Sequence, residues 1–427
     1  MTLEREIEER IELNFHRIAD DPYYQAKDLF SPPDYTWYGD KEGRALLSFV
    51  SLHRATGRAI PCMETFLPAL RERSGGKMAL GPLQSDLVRE QQLSGHSWML
   101  RGLCEHYEAF GDAESLDAVG ALCESLYLPL QGRFSEYPLC HEAGNEGGVM
   151  GCEEATRGGW VLSTDVGCAF MCLDGLSHAY RLLHDARILA VLDEAIGVFA
   201  AMDRVGRRMQ THCTLSAGRG LMRLYGETGK ADYLVVAETV MDDYLHRGGM
   251  TDTYQNLNWW GRPDTWTEPC AIVDSLLLAL EQHKATGKPA YRRLAARIWQ
   301  NGLATAQRPN GGAGTDSVVA PGSPWNELRM QSYDAFFCCT MRLSEGLAYA
   351  KANAALLAPE RDHGVVRTER GTYRDGDILY VEPNEPLLPY VEREAAVRID
   401  GRMLYPIVKL YRTTEPIAWA ARQQVVF

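Results

Sequence analysis

Five phrases recur along the chain: LHRATGRA, HYEAFGDAES, YRLLHDARI, RLYGETGKADY and EQHKATGKPAY. In four of them a glycine stands where a helix ends in a left-handed residue, and a second helical segment begins at once. A helical hairpin repeated in this way cannot bury its apolar face alone. The units must stack, as an open solenoid or as a closed ring. Apolar residues at three- and four-residue spacing continue to about residue 355 and predict roughly twelve helices. Two long glycine-rich connections, 128–162 and 307–333, lack helical periodicity. Connections of that kind can build the rim of a site, which favours a closed α/α barrel. After LLAPERDHG the pattern changes: GTYRDGDILYVEP, EAAVRIDGRMLYPIVKLYR and IAWAARQQVVF read as short strands separated by turn residues. The expected chain is mainly α, with a barrel over 1–357 and a small C-terminal β module over 358–427.

Acidic residues outnumber basic ones by 57 to 44, a net charge of −13. That balance argues against nucleic acid and anionic membrane surfaces as partners. The opening MTLEREIEERIELNF reads as a charged amphipathic helix, without the apolar run and small-residue cleavage site of a signal peptide. No apolar stretch approaches the ~20 residues of a membrane span. Eleven scattered cysteines, an odd count, suit a reducing compartment, so a cytoplasmic location is expected. Association with copies of itself is left open.

One stretch, SYDAFFCCTMRLSEG, places Cys338 beside Cys339 at the start of a helix. Adjacent cysteines rarely bond each other, because the ring strains the intervening peptide. They are either buried thiols used as small apolar groups or thiolates aimed at one metal. NLNWWGRPDTWTEPCAIVDSLLLALEQH supplies partners for the second use. Pro269 fits the first position of a helix, so Glu268 and Cys270 flank a helix start. Mid-helix, such a pair points about 200° apart; at a helix N-terminus preceded by a turn, the two can converge. In an α/α barrel, helices of one layer share a direction, so both starts can lie at the same end. The positive helix end favours ionised thiols. Three thiolates and one carboxylate (Glu268, Cys270, Cys338 and Cys339) would make a four-coordinate zinc site.

TEPCAIVDS together with FFCCTMRLSEG resembles the zinc-dependent cysteine glycosidases of glycoside hydrolase family 127, the β-L-arabinofuranosidases. The resemblance implies an (α/α)6 barrel, a six-hairpin toroid, with zinc held by those four residues. It also implies that Cys338 is the nucleophile of a retaining hydrolase acting on a small glycoside, so the expected partner is a small saccharide. QLSGHSWMLRGLCEHYEAFGD is similar to a family helix that opens on Gly-His and points to His96. MQTHCTLSAGRGLMRLYGETGK points to His212, and both histidines would contact the sugar. The family's general acid/base is a Glu about fifteen residues before the metal Glu; here the nearest carboxylate is Asp252. Where the family has a further His, this chain has Asp165 nearby. The β-sandwich regions usual in the family are largely missing.

Trp259, Trp260 and Trp266 cluster beside Glu268 and could stack on a sugar or serve loop packing. CHEAGNEGGVMGCEEATRGGW, residues 140–160, reads as a rim loop with a carboxylate such as Glu142 touching substrate; its irregular spacing makes a poor second metal site. Glu153 and Asp264 are further acid candidates. P-loop, GxGxxG, HExxH and GxSxG motifs are absent from the sequence. Two alternatives accompany the hydrolase: a sugar epimerase on the same scaffold, and a non-catalytic sugar- or partner-binding barrel with a structural zinc.

Overall fold

The computed structural model describes residues 3–358 apart from 26–27, 31, 33–34, 85, 140–150, 252 and 318–329; beyond 358 it describes the backbone of five strands. The helices are α1 (Leu3–Asp20), α2 (Asp40–Thr56), α3 (Met63–Arg73), α4 (Glu90–Phe110), α5 (Ala113–Leu122), α6 (Cys172–Leu183) and α7 (Ala186–Ala201). They continue with α8 (Thr211–Thr228), α9 (Ala231–His246), α10 (Pro269–Thr286), α11 (Pro289–Arg297), the short α12 (Ala304–Ala306), α13 (Cys339–Ala352) and α14 (Ala354–Leu357). Helices α2, α4, α6, α8, α10 and α13 each pack on the next, and α13 returns to α2. This closed inner ring is an (α/α)6 barrel. Five outer helices, α3, α5, α7, α9 and α11, each follow an inner one. The sixth outer place, beside α13, is taken by α1 from the start of the chain.

The tight hairpin turns follow from their end residues. Gly57, Gly111, Gly229 and Gly287 adopt φ of 74°, 66°, 68° and 68°, and each donates its N–H to the carbonyl four residues back. The phrase without glycine makes the same turn with His184 at φ 49°. Glycine matters differently inside the ring. A Cβ on Gly43 of α2 would lie 2.1 Å from the Met99 backbone nitrogen of α4. One on Gly175 of α6 would lie 2.4 Å from the Ser97 carbonyl oxygen. The inner helices meet backbone to backbone there, which no side chain permits.

Inner helices are buried nearly all round: in α10 every residue from Pro269 to Leu280 is buried. The barrel axis is nonetheless charged. Asp274 accepts from Arg219 at 2.8 Å and from Arg342; Glu345 accepts from Arg219 at 3.0 Å and from Arg101 at 2.8 Å. Asp174 accepts from Arg223 at 2.8 Å. The lattice ties α4, α6, α8, α10 and α13 together.

Short strands decorate the long connections. β1 (Val88–Arg89) runs parallel to β3 (Trp160–Ser163), and β2 (Glu153–Arg157) pairs antiparallel on β3's other side. β4 (Thr315–Asp316) and β5 (Met330–Ser332) pair antiparallel, with Thr315 opposite Ser332. Beyond residue 358, β6 (Val365–Arg367), β7 (Tyr373–Asp375), β8 (Ile378–Tyr380), β9 (Ala395–Ile399) and β10 (Arg402–Ile407) form one sheet in the order β10-β9-β8-β7-β6. Its β8–β9 pair is parallel and the rest antiparallel.

Two substitutions test the opposite roles of small residues here. Gly43→Ala should cost about 3 kcal/mol or more, because backbone cannot yield as a side chain can. His184→Gly should gain about 0.5–1 kcal/mol by relieving a left-handed residue that carries a Cβ. Denaturant unfolding of both variants checks the signs.

Candidate functional site

The inner helices bring their N-termini to one end of the barrel, around a cavity of 620 Å³. Asp40, Lys41 and Arg44 reach it from the first turns of α2, His212 from the start of α8, and Glu268 as the N-cap of α10. Cys338, the N-cap of α13, and Cys339, its first residue, also line it. Positive helix ends therefore face a group of acids and thiols.

The four expected ligands are together. The Cys270 and Cys339 sulfurs are 3.5 Å apart, and those of Cys338 and Cys339 are 3.4 Å apart. With a carboxylate oxygen of Glu268, all four ligand atoms lie within 4.8 Å of one another, a set that could hold a metal ion. The sulfurs are too far apart for disulfides, whose S–S bond is about 2.05 Å. Cys270 and Cys339 are buried, while Cys338 is half-exposed to the cavity. Burial pushes the Cys270 and Cys339 thiols well above their ordinary range. The Cys270 sulfur does the same to Cys338. Arg44 touches the group, with Nη1 3.5 Å from the Cys270 sulfur, but its Nε is already bonded to Asp40 at 2.8 Å.

His212 fixes the Glu268 carboxylate. Its Nδ1 lies 3.0 Å from Glu268 Oε1, and its Nε2 lies 3.2 Å from Asp274 Oδ2. The ring stacks on Trp98 with centroids 5.5 Å apart. Burial pulls its pKa down, but the Glu268 and Asp274 carboxylates outweigh burial and raise it. Glu268 Oε2 is left buried without a partner. The Glu268 N–H donates to Asn256 Oδ1 at 2.7 Å.

Other expected residues divide. Asp165 and Trp259 line the cavity, and Trp259 meets Trp266 edge to face at 5.4 Å. Burial first, then the Glu268 carboxylate, pushes Asp165 up to about 8. Trp260 is not among the lining residues; it packs edge to face on Tyr244 instead. The bridge pairing Gln210 with Trp259 makes the chain extended here, so successive side chains point to opposite sides. His96 also stands apart from the cavity. Its Nδ1–H donates to the Gln92 carbonyl and its Nε2 accepts from the Leu80 N–H, both at 2.8 Å. Both nitrogens are thus engaged by backbone. Asp252 and Glu142 lie outside the described residues. Of the remaining acid candidates, Asp264 pairs with Arg262 and Glu153 with Arg89, each at 2.7 Å.

Sequence reasoning missed Arg44 with Asp40, the phenols of Tyr23 and Tyr35, Trp37, and the amides of Gln210 and Asn258. The two amides flank motifs that were noticed: Gln210 precedes the His212 helix, and Asn258 precedes the tryptophan pair. The available signal was the polar Gln210 at a helix start; Asn258, in the extended segment before the tryptophans, offered none. A second group, Glu105, Glu108 and His178, lies toward the far end of the inner helices. Arg54 and Arg101 already pair with Glu105, and Arg181 with Glu108, so it reads as part of the ion lattice.

No protein-family model matches this sequence, and no curated protein does. Solved structures share its fold. A GH127 β-arabinofuranosidase superposes with a TM-score of 0.50 at 13% identity, over 94% of this chain and 62% of that one. An unsaturated glucuronyl hydrolase from Streptococcus agalactiae gives 0.53 at 12% identity, over 82% and 92%. A polysaccharide lyase gives 0.50 at 12% identity, over 83% and 99%. The likeness establishes the (α/α)6 barrel. The chain spans about three fifths of the GH127 structure's length.

His96 supplies a pH test of this assignment. Burial holds its pKa down to about 4, so it stays neutral in the fold, whereas an unfolded histidine titrates near 6.5. Its contribution is fully present above about pH 6.5 and is lost as pH falls toward 4, on the order of 3 kcal/mol over that window. His96→Gln should therefore lose less stability than the parent between about pH 7 and pH 4.5 in urea unfolding. Equal losses would refute the buried neutral role.

Proposed function

We propose that this barrel is a retaining glycoside hydrolase that holds zinc at Glu268, Cys270, Cys338 and Cys339 and uses Cys338 as its nucleophile. The observation that carries the reading is the ligand set itself: three converging sulfurs and a buried, unpartnered carboxylate oxygen. Around tetrahedral zinc, with Zn–S near 2.3 Å, sulfurs stand about 3.8 Å apart; the 3.4 and 3.5 Å found here need only a small expansion. Buried thiols crowded together stay protonated unless a cation joins them. Bound zinc keeps thiolates ionised at neutral pH.

The residues then divide the work. Cys338, the half-exposed sulfur, attacks the anomeric carbon while the bond to the leaving oxygen breaks. A carboxylic acid gives that oxygen its proton, and as carboxylate takes one back from the water that later frees the sugar and the Cys338 sulfur. Asp165 lines the cavity in an environment that keeps it protonated at pH 7. Asp252 is the residue the family position points to. Trp259 and Trp266 offer aromatic walls to the sugar. A β-L-arabinofuranoside-like glycoside is the proposed substrate. An epimerase needs a histidine free to move a proton; His212 is held between two carboxylates, and no other described histidine lines the cavity.

Purified protein should carry about one zinc per chain by elemental analysis. An electrophilic sugar analogue should label Cys338 and not Cys339, as peptide mass mapping will show. Asp165→Asn compared with Asp252→Asn assigns the acid: the true acid loses its rate least on substrates with good leaving groups. Metal-free folded protein would remove the foundation. Zinc without label, and without cleavage across a panel of glycosides, would instead favour a structural metal in a binding barrel.

A further inference from the structure

Two amides of the cavity lining have oxygens with nothing to bond. Gln210 is 6% exposed and Asn258 4% exposed, and Gln210 Oε1 and Asn258 Oδ1 are both buried without a partner. A buried unpaired amide oxygen is costly, on the order of 1–3 kcal/mol. Two on one cavity wall are best understood as waiting for a ligand. Both are rigidly placed through backbone. The Gln210 N–H donates to the Val166 carbonyl at 3.1 Å, and the Asn258 carbonyl accepts from the Thr211 N–H at 3.0 Å. Gln210 is also bridged to Trp259. The two amides thus stand on neighbouring segments beside an aromatic wall.

The cavity's cations bear on the ligand's charge. Among the described lining residues these are Lys41 and Arg44. The Lys41 ammonium donates to the Asp28 carbonyl and sits 3.5 Å over the Tyr23 ring; Arg44 is paired with Asp40. Both already have partners, and the Asp40 and Glu268 carboxylates share the cavity. Among the described lining residues an anionic sugar would meet no unengaged cation, whereas hydroxyl groups have donors and acceptors to meet.

The geometry points to Gln210 and Asn258 as a hydroxyl-reading pair that makes this cavity select an uncharged sugar ring over a uronate. The inference rests on the reading of the cavity as a sugar site, but binding is measurable without cleavage, so it can fail or stand separately from the hydrolase chemistry. The test is calorimetric titration of the protein, as purified with its metal, with L-arabinose, D-galactose and D-galacturonate. A neutral sugar should bind at least about tenfold more tightly than galacturonate. Gln210→Met and Asn258→Leu should each weaken neutral-sugar binding by about tenfold, the loss expected for one hydrogen bond. Metal content should be unchanged in both. Should either fail to fold, Gln210→Glu or Asn258→Asp replaces it; each keeps the shape, adds a charge, and should also weaken binding. Galacturonate binding as tightly as galactose, folded variants that bind like the parent, or no binding of any of the three sugars would overturn the assignment. Failure of Cys338 labelling with this selectivity intact would instead count against the hydrolase chemistry alone.

Discussion

Asp274 holds the barrel and the site together. It is fully buried, takes Arg219 and Arg342 on one oxygen, and presents the other to Ser216 and His212. Buried charges are tolerable only when each is paired, and removing one partner typically costs about 3–5 kcal/mol. The arginines bring helices α8 and α13 to an aspartate on α10. His212 passes that fixed position on to Glu268. The Glu268 carboxylate at the mouth of the barrel is thereby referred to the same charge lattice that spaces the inner helices. Its geometry is set by the ring as a whole rather than by the loop it stands on.

Helix direction explains why chemistry gathers at this end and not the other. Inner helices start at the cavity, so unpaired backbone N–H groups and positive dipole ends converge there. Thiols and carboxylates placed on these first turns meet a favourable field, which offsets part of what burial costs them. Arg44, on the first turn of α2, adds a formal charge directly beside the Cys270 sulfur. The far end holds Glu105 and Glu108 in ion pairs with Arg54, Arg101 and Arg181.

The hairpin repeat was legible because its signal is local: a helix needs a left-handed residue to stop, and glycine supplies it. His184 shows the limit, since the same turn forms there without the glycine that advertises it. The metal candidate was legible because Glu-x-Cys and Cys-Cys are rare and sit at helix starts. Its supporting groups Arg44 and Asp274 were not, because they meet the candidate ligands only through the closure of the ring; His212 was legible as a site residue, but its contact with Glu268 was not. His96 looked like a site residue by its helix-opening position, yet backbone groups four and sixteen residues away take both its nitrogens. Trp259 and Trp260 are neighbours in sequence, and only the extended backbone between them decides which faces the cavity. Amides such as Gln210 and Asn258 are too common on any surface to be singled out without a cavity to place them in.

Completion of the outer layer by the first helix has a consequence for how the protein is made. Asn14 of α1 accepts a hydrogen bond from Ser344 of α13 across 330 residues of chain. At about 5–20 residues per second, a ribosome delivers that partner on the order of tens of seconds after α1 emerges. Throughout that interval α1 lacks its groove, and the apolar residues Ile7, Ile11, Phe15 and Ile18 have no final place to bury. The cysteine pair arrives in the same late stretch of translation. Assembly of the mouth and sealing of the barrel are therefore coupled, and a nascent chain remains an unsealed arc, dependent on chaperones or on its own marginal early hairpins, until α13 has been made.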